Sequence, residues 1–505
     1  MKALLVHPDF HRRAVSEHSL AEGFSPPALG INVLAKILES EGHHVEVLDS
    51  LRLLLRYDPS RMPRFEEEIR RLLSSDSIDV VGINATSPTR RIALNIARTV
   101  RQVSPQTKIV IGGPHASIVG RPFISRYSNI IDALVTGEGE DAFPQLLAAY
   151  GNNEINPESI PGIILGEGKE LSPRLIKDLD AYPIPTYIGY RSEACGDLFD
   201  TLPVMTSRGC PYRCSFCYSR AFWSGRFRCR NVKRVVDEVE YGISGLGLKK
   251  VHFNDDVFSY PLDRAKAILT EMLRRGLRLQ LYCTTRMDCL DEEFLRLFEA
   301  VGGGCIYFGI ETGSERLRKL MGKMYTNEKI LDSMALLRRH PAITVGFFLM
   351  FGYPTETAED ISETENLLRR ARPDEVTCNL AHIHPGTHLY EVASQEGKCS
   401  FESWINEEPS FFPYESCPIK LQRLYDLCRK METRFGVPRH RSVLIRDLGS
   451  SRGEKADVTK PPEEIRANDC LGGVNSQDPT RKPLLTPCGG ANEDPPQDTV
   501  EWSMG

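Results

Sequence analysis

Three cysteines carry the most specific chemistry in this chain. They stand in the segment Thr206-Ser-Arg-Gly-Cys210-Pro-Tyr-Arg-Cys214-Ser-Phe-Cys217-Tyr. Three thiolates at this spacing wrap one iron–sulfur cubane from a single loop, and three ligands on four irons leave one iron open to a further molecule. Two plainer readings compete. A structural zinc site would recruit a fourth ligand, Cys229 or His252, and a buried, inert trio would bind nothing. Motif and context favour the cluster. The chain's 14 cysteines are otherwise scattered, without the pattern of a secreted disulfide framework.

The loop follows an apolar run, Leu202–Ser207, which opens a long alternation of strand-like and helix-like segments. Further strands are expected at Lys250–Asp255, Arg278–Thr285, Cys305–Glu311, Thr344–Phe351 and Glu375–His382, with helical patterns between them. Six βα units make a partial (β/α)6 TIM-type barrel, whose reactive residues stand at the carboxyl ends of the strands. Residues 201–398 are assigned to this barrel and 399–447 to a C-terminal cap.

Residues 1–150 show an earlier alternation. Strands are expected at Lys2–Pro8, His44–Asp49, Asp79–Thr86, Lys108–Pro114 and Ile131–Thr136, separated by helical patterns. This predicts a doubly wound, flavodoxin- or Rossmann-like α/β domain. Its ligand would lie beyond the carboxyl strand ends, where strand order reverses. Residues 151–200, rich in proline, read as a linker. Residues 448–505 are too poor in apolar side chains to build a core and read as a disordered tail, dispensable for cofactor binding.

The composition, 41% hydrophobic and 26% charged, is that of a soluble globular protein. A net charge of -5 without a dense basic block gives no reason to expect nucleic acid. No apolar stretch reaches the length of a membrane span, and the short N-terminal run stops at Pro8-Asp9, so a cytoplasmic location is expected.

The CxxxCxxC loop, with Phe216 before its last cysteine, resembles the signature of the radical S-adenosylmethionine (SAM) superfamily. That resemblance implies a [4Fe–4S] cluster on Cys210, Cys214 and Cys217, and SAM bound to the open iron and cleaved to a 5′-deoxyadenosyl radical. It also places SAM contacts at Phe216, Asp255, Asp256, Arg286, Glu311 and Ser314. The segments Asn254-Asp255-Asp256, Gly309-Ile-Glu311-Thr-Gly-Ser314, Phe351-Gly-Tyr-Pro-Thr-Glu356 and Pro385-Gly-Thr387 match strand-end positions of the superfamily. For the aspartates, helix capping is the plainer role, and Arg286 has Asp288 as an alternative partner.

A doubly wound domain joined by a proline-rich connector to such a barrel resembles the cobalamin-binding branch. The resemblance implies cobalamin contacts at Thr86, Ser87, Gly112, Gly113, Pro114, His115, Gly137 and Glu138. One feature departs from the branch: Asp9-Phe-His11-Arg-Arg-Ala14 lacks the final glycine of the Asp-x-His-x-x-Gly motif. Cobalamin is therefore expected without His11 beneath the cobalt. A domain that binds nothing and serves as scaffold is the alternative. The implied activity is methylation of an unactivated carbon or phosphorus centre in a small-molecule or natural-product substrate, with an electron donor such as flavodoxin or ferredoxin. A cobalamin-dependent radical oxidoreductase or cyclase is the second reading, and a non-catalytic sensing or delivery protein the third. The first two use the same cofactors, which carry the difficult chemistry while the protein orients them.

Overall fold

Short runs rich in β-branched residues form two six-stranded sheets in this computed structural model, which describes residues 1–8, 27–57, 63–152, 156–185, 187, 190, 200–409 and 411–436. The first sheet contains β1 (Lys2–His7), β2 (His44–Asp49), β3 (Val80–Asn84), β4 (Lys108–Gly112), β5 (Ala133–Val135) and β6 (Ile163–Ile164). Its order is β2-β1-β3-β4-β5-β6, parallel except for β6, which runs antiparallel to β5. This is the flavodoxin-like winding, whose switch point lies between β1 and β3. Both faces of the sheet are covered. Ala3 and Leu5 pack with Phe143 and Leu146 on one side, while Leu4 and Val6 pack with Leu94 and Ile96 on the other. Burial on both faces explains why these strands read as continuous apolar runs.

In the second half, β7 (Thr201–Val204) leads to a small antiparallel pair, β8 (Ser207–Arg208) with β9 (Arg228–Cys229). The second large sheet joins β7 to β10 (Lys250–Phe253), β11 (Gln280–Thr285), β12 (Gly304–Glu311), β13 (Ile343–Phe351) and β14 (Glu375–Leu380), all parallel and in that order. Each neighbouring pair is joined through a helical crossover, as a parallel sheet requires. The expected fold class is therefore present: a doubly wound domain and a partial (β/α)6 barrel.

Some elements differ from expectation, among them the short helices Ser50–Arg56 and Glu315–Leu320, which the sequence pattern does not announce. The helix Pro114–Arg126 is not announced by the sequence, because Gly120, at φ 52°, and Pro122 interrupt its pattern with a kink. The segment expected as a barrel cap divides in two. Helix Pro418–Phe435 flanks the edge strand β14, where Glu432 accepts from the Cys378 amide at 2.9 Å and Gly436 O accepts from the Val376 amide at 3.0 Å. Residues 401–409 and 411–414 instead reach the first domain. Trp404 is fully buried and stacks on Phe412 at 4.1 Å, within the apolar core that also holds Leu94, Phe123 and Ile124. Arg90, also fully buried, donates to Asn406 O at 2.6 Å and to Pro409 O. One core thus spans both halves. His11 and the 448–505 tail lie outside the described residues.

Candidate active site

The cysteine loop is built from glycine and backbone hydrogen bonds. Gly209 sits at φ 92°, and a Cβ there would fall 2.1 Å from Arg226 O, so only glycine permits this turn before Cys210. Beyond it, the Cys217 amide donates to Cys214 O at 3.1 Å, and the Ser215 amide to Met321 O at 3.0 Å. Ser215 O accepts from the Leu389 amide at 3.0 Å, and its hydroxyl lies 2.7 Å from Tyr353 Oη. The loop is therefore clamped by segments that follow barrel strands β12, β13 and β14. Phe216 packs against the shared core.

Cys210, Cys214 and Cys217 are free thiols, partly accessible to solvent. Burial pushes Cys210 up to about 11 and Cys217 up to about 12, and raises Cys214. Metal binding to these cysteines must therefore displace their protons. Among the described residues, no group of three or more His, Cys, Asp or Glu side chains is placed to hold a single metal ion. Three thiols on one loop suit a cubane, whose irons each take a separate ligand.

Around the loop, the barrel strand ends treat the expected SAM contacts unequally. Asp255 is buried, and its carboxylate accepts from the Thr206 hydroxyl at 2.8 Å, the Thr206 amide at 3.2 Å and the Ser207 hydroxyl. These hydrogen bonds fix the strand-to-loop turn. Ser314 is likewise buried, with its hydroxyl on Asp360 at 2.5 Å. Asp256 accepts from Ser219, two residues past Cys217, at 2.6 Å.

Arg286 pairs with Asp288 through two hydrogen bonds of 2.8 and 2.7 Å and lies 3.7 Å above the Tyr212 ring. Its Nη1 is buried without a hydrogen-bond partner. A buried guanidinium donor of this kind beside the cysteine loop fits a carboxylate such as that of SAM. Glu311 adopts φ 67° at a register shift of β12 against β13 and pairs with Lys323 at 2.6 Å.

At the carboxyl end of the first sheet, the expected cobalamin contacts also divide. His115 is fully buried, with Nδ1 3.1 Å from Ser87 Oγ and its ring edge-on to Phe123. Burial and the nearby Arg90 push its imidazole down to about 3. Thr86, Gly112, Gly113, Pro114 and Gly137 remain partly accessible. Gly113, at φ 93°, brings its backbone against Asn84, where a Cβ would lie 1.9 Å from Oδ1. Asn84 Nδ2 is in turn 2.7 Å from His7 Nδ1 across the β1/β3 switch point. An uncharged floor with few protruding side chains fits the face of a broad, flat macrocycle. Among the described residues, Thr86, Gly112, Gly113, Pro114 and Gly137 bring no ionised side chain to it.

Glu138 is held by partners within the protein. It accepts from Arg228 at 2.6 Å, from the Ile176 amide at 2.7 Å and from Arg208, while Glu140 takes the other arm of Arg208. The two arginines flank Trp223, 5.9 and 5.5 Å from its ring centre. Arg208 lies two residues before Cys210, so this network joins a carboxyl-end loop of the first domain to the base of the cysteine loop. The sequence carries no local signal for it, since the partners stand 68 to 90 residues apart. On the far side, Tyr218 lies 6.3 Å from His384 and 5.9 Å from Phe222. Burial pushes His382 down to about 4 and lowers His384, leaving an uncharged aromatic wall beside Cys217.

Residues 204–368 match the family model of the Radical SAM superfamily, and residues 22–147 that of the B12 binding domain. An uncharacterized methyltransferase of Pyrococcus horikoshii is 30% identical over 400 residues, covering 78% of this chain and 83% of the relative. The chain belongs to the cobalamin-binding radical SAM enzymes. Its cofactors are those of the family: a [4Fe–4S] cluster, SAM and cobalamin. The anaerobic magnesium-protoporphyrin IX monomethyl ester cyclase of Cereibacter sphaeroides is 26% identical, over 77% of this chain and 63% of the cyclase. Among solved structures, the radical SAM methyltransferase TsrM of Kitasatospora setae, with cobalamin and [4Fe–4S] cluster bound, superposes with a TM-score of 0.63. It is 22% identical, over 78% of this chain and 75% of TsrM, and shares the fold. No helix among the described residues of this radical SAM enzyme is long and apolar enough to cross a membrane.

Proposed function

We propose that this enzyme transfers a methyl group to an unactivated carbon or phosphorus centre of a small-molecule substrate. Cys210, Cys214 and Cys217 would hold the cluster, and Arg286 and Glu311 would contact SAM. Thr86, Gly112, Gly113, Pro114 and Gly137 would floor the cobalamin site. Bound together, these cofactors supply a hydrogen-abstracting radical and a transferable methyl group. The observation that carries the reading is the buried Glu138–Arg208–Arg228 network. It ties the carboxyl-end loop of one cofactor domain to the strand leading into the other's cysteine loop. A substrate held beside both would meet both chemistries without leaving the site. The methyltransferase of Pyrococcus horikoshii supports the same direction.

The residues around such a substrate exclude water and hold it. Tyr218, Phe222, Trp223 and His384 offer an uncharged surface next to Cys217. A flavodoxin or ferredoxin would supply the low-potential electron, and a reducing cytoplasm would suit three free thiols awaiting metal.

Anaerobic turnover with methyl-labelled SAM is expected to place label in the product, with S-adenosylhomocysteine and 5′-deoxyadenosine formed in similar amounts. The likeness to the Cereibacter sphaeroides cyclase supports a second reading, radical oxidation or cyclisation without methyl transfer. Deoxyadenosine accompanied by an unlabelled, oxidised or cyclised product would establish that reading instead.

A further inference from the structure

Lys323 has no part in the cysteine motif, yet it stands between that loop and the end of β12. Its side chain is 6% exposed and that of Glu311 11%, and the two pair at 2.6 Å. Nζ also donates to Gly309 O, which accepts a second hydrogen bond from Tyr325 Oη at 2.7 Å. A Cβ at position 309 would fall 2.7 Å from both Glu311 Oε1 and Lys323 Nζ, so glycine there leaves room for the ion pair. The backbone just before Lys323 presses on the cysteine loop. Met321 O accepts from the Ser215 amide at 3.0 Å. A Cβ on Gly322, at φ 81°, would lie 2.7 Å from Arg213 O and 3.5 Å from Cys214 Cα.

We propose that Lys323 is a positioning residue that ties the strand-end carboxylate Glu311 to the cysteine loop and sets the reduction potential of the cluster held there. The inference rests on the assignment of the cluster to Cys210, Cys214 and Cys217. Reduction adds one negative charge to the cluster. A buried cation beside Cys214 favours that charge, and its paired carboxylate opposes it, both in surroundings that screen weakly. The pair also holds Glu311 in a left-handed conformation that a non-glycine residue adopts at a cost.

The test is a redox titration of the reconstituted full-length protein without SAM, followed by electron paramagnetic resonance of the reduced cluster. Lys323→Met is expected to shift the one-electron equilibrium at least tenfold toward the oxidised form, about 59 mV lower in potential. Glu311→Gln, which leaves the cation unopposed, is expected to shift the potential the other way, and Lys323→Arg to restore the wild-type value. Opposite signs separate a charge effect from a structural one. Unchanged potentials, or shifts of the same sign in both variants, would overturn the proposal. If Lys323→Met takes up no iron, the upward shift in Glu311→Gln and recovery in Lys323→Arg decide the matter. A wild-type protein that binds no cluster would overturn the cluster assignment itself, whereas a loaded protein with unmoved potentials overturns only the role of Lys323.

Discussion

Replacing Cys210, Cys214 and Cys217 together by alanine is expected to yield a folded protein that contains no iron. The loop's shape depends on groups the substitutions leave in place: the left-handed Gly209, the Ser215 amide on Met321 O and the Leu389 amide on Ser215 O. The thermal transition of the metal-free variant should therefore match that of metal-free wild type. Iron content, the broad visible absorbance of the cluster and SAM cleavage should all fall below detection, because no other thiol group stands ready on that loop. Burial already raises all three thiols, so cluster assembly in the wild type should improve as pH rises and thiolates become easier to form. Iron retained by the triple variant, or tightly bound zinc in the wild type, would sink the assignment.

Removing the Glu138 carboxylate by Glu138→Ala is expected to destabilise the protein by about 3–5 kcal/mol, since a buried ion pair that loses one partner leaves the other desolvated. The Glu138 side chain is 2% exposed, and those of Arg208 and Arg228 are 16% and 12%. Its loss deprives both guanidinium groups and the Ile176 amide of an acceptor. Denaturant unfolding of the metal-free protein measures that cost. A second effect should appear in turnover. With the two domains less firmly held, 5′-deoxyadenosine should exceed S-adenosylhomocysteine, while cluster content stays near the wild-type level. Wild-type stability together with wild-type product ratios would show that the network does not couple the two cofactor domains.

The strand runs show how much of the fold is legible in the order of residues alone. His44–Asp49 coincides with β2, and Cys305–Glu311 and Thr344–Phe351 each fall within one residue of β12 and β13. Parallel strands covered on both faces are rich in apolar and β-branched residues, so β12 and β13 announce themselves by local composition, and the edge strand β2 by its Val45, Val47 and Leu48. The helix Pro114–Arg126 is hidden for an equally local reason, because Gly120 and Pro122 break its period.

By itself, the sequence determined the two alternating βα architectures and the three-thiol loop that follows the first barrel strand. Both are contained in short, contiguous stretches whose spacing expresses their geometry. The internal partners of the polar groups at the strand ends come from the tertiary structure. Asp255, Ser314, His115 and Glu138 stand at the strand ends where cofactor contacts were expected. There, Asp255, Ser314 and Glu138 are hydrogen-bonded or ion-paired within the protein, and His115 is fully buried beside Ser87 and Phe123. The Lys323–Glu311 pair and the Arg208–Glu138 bridge have no signature in the order of residues. A buried charge takes its role from whichever opposite charge the fold brings within hydrogen-bond reach, and that partner can lie anywhere along the chain.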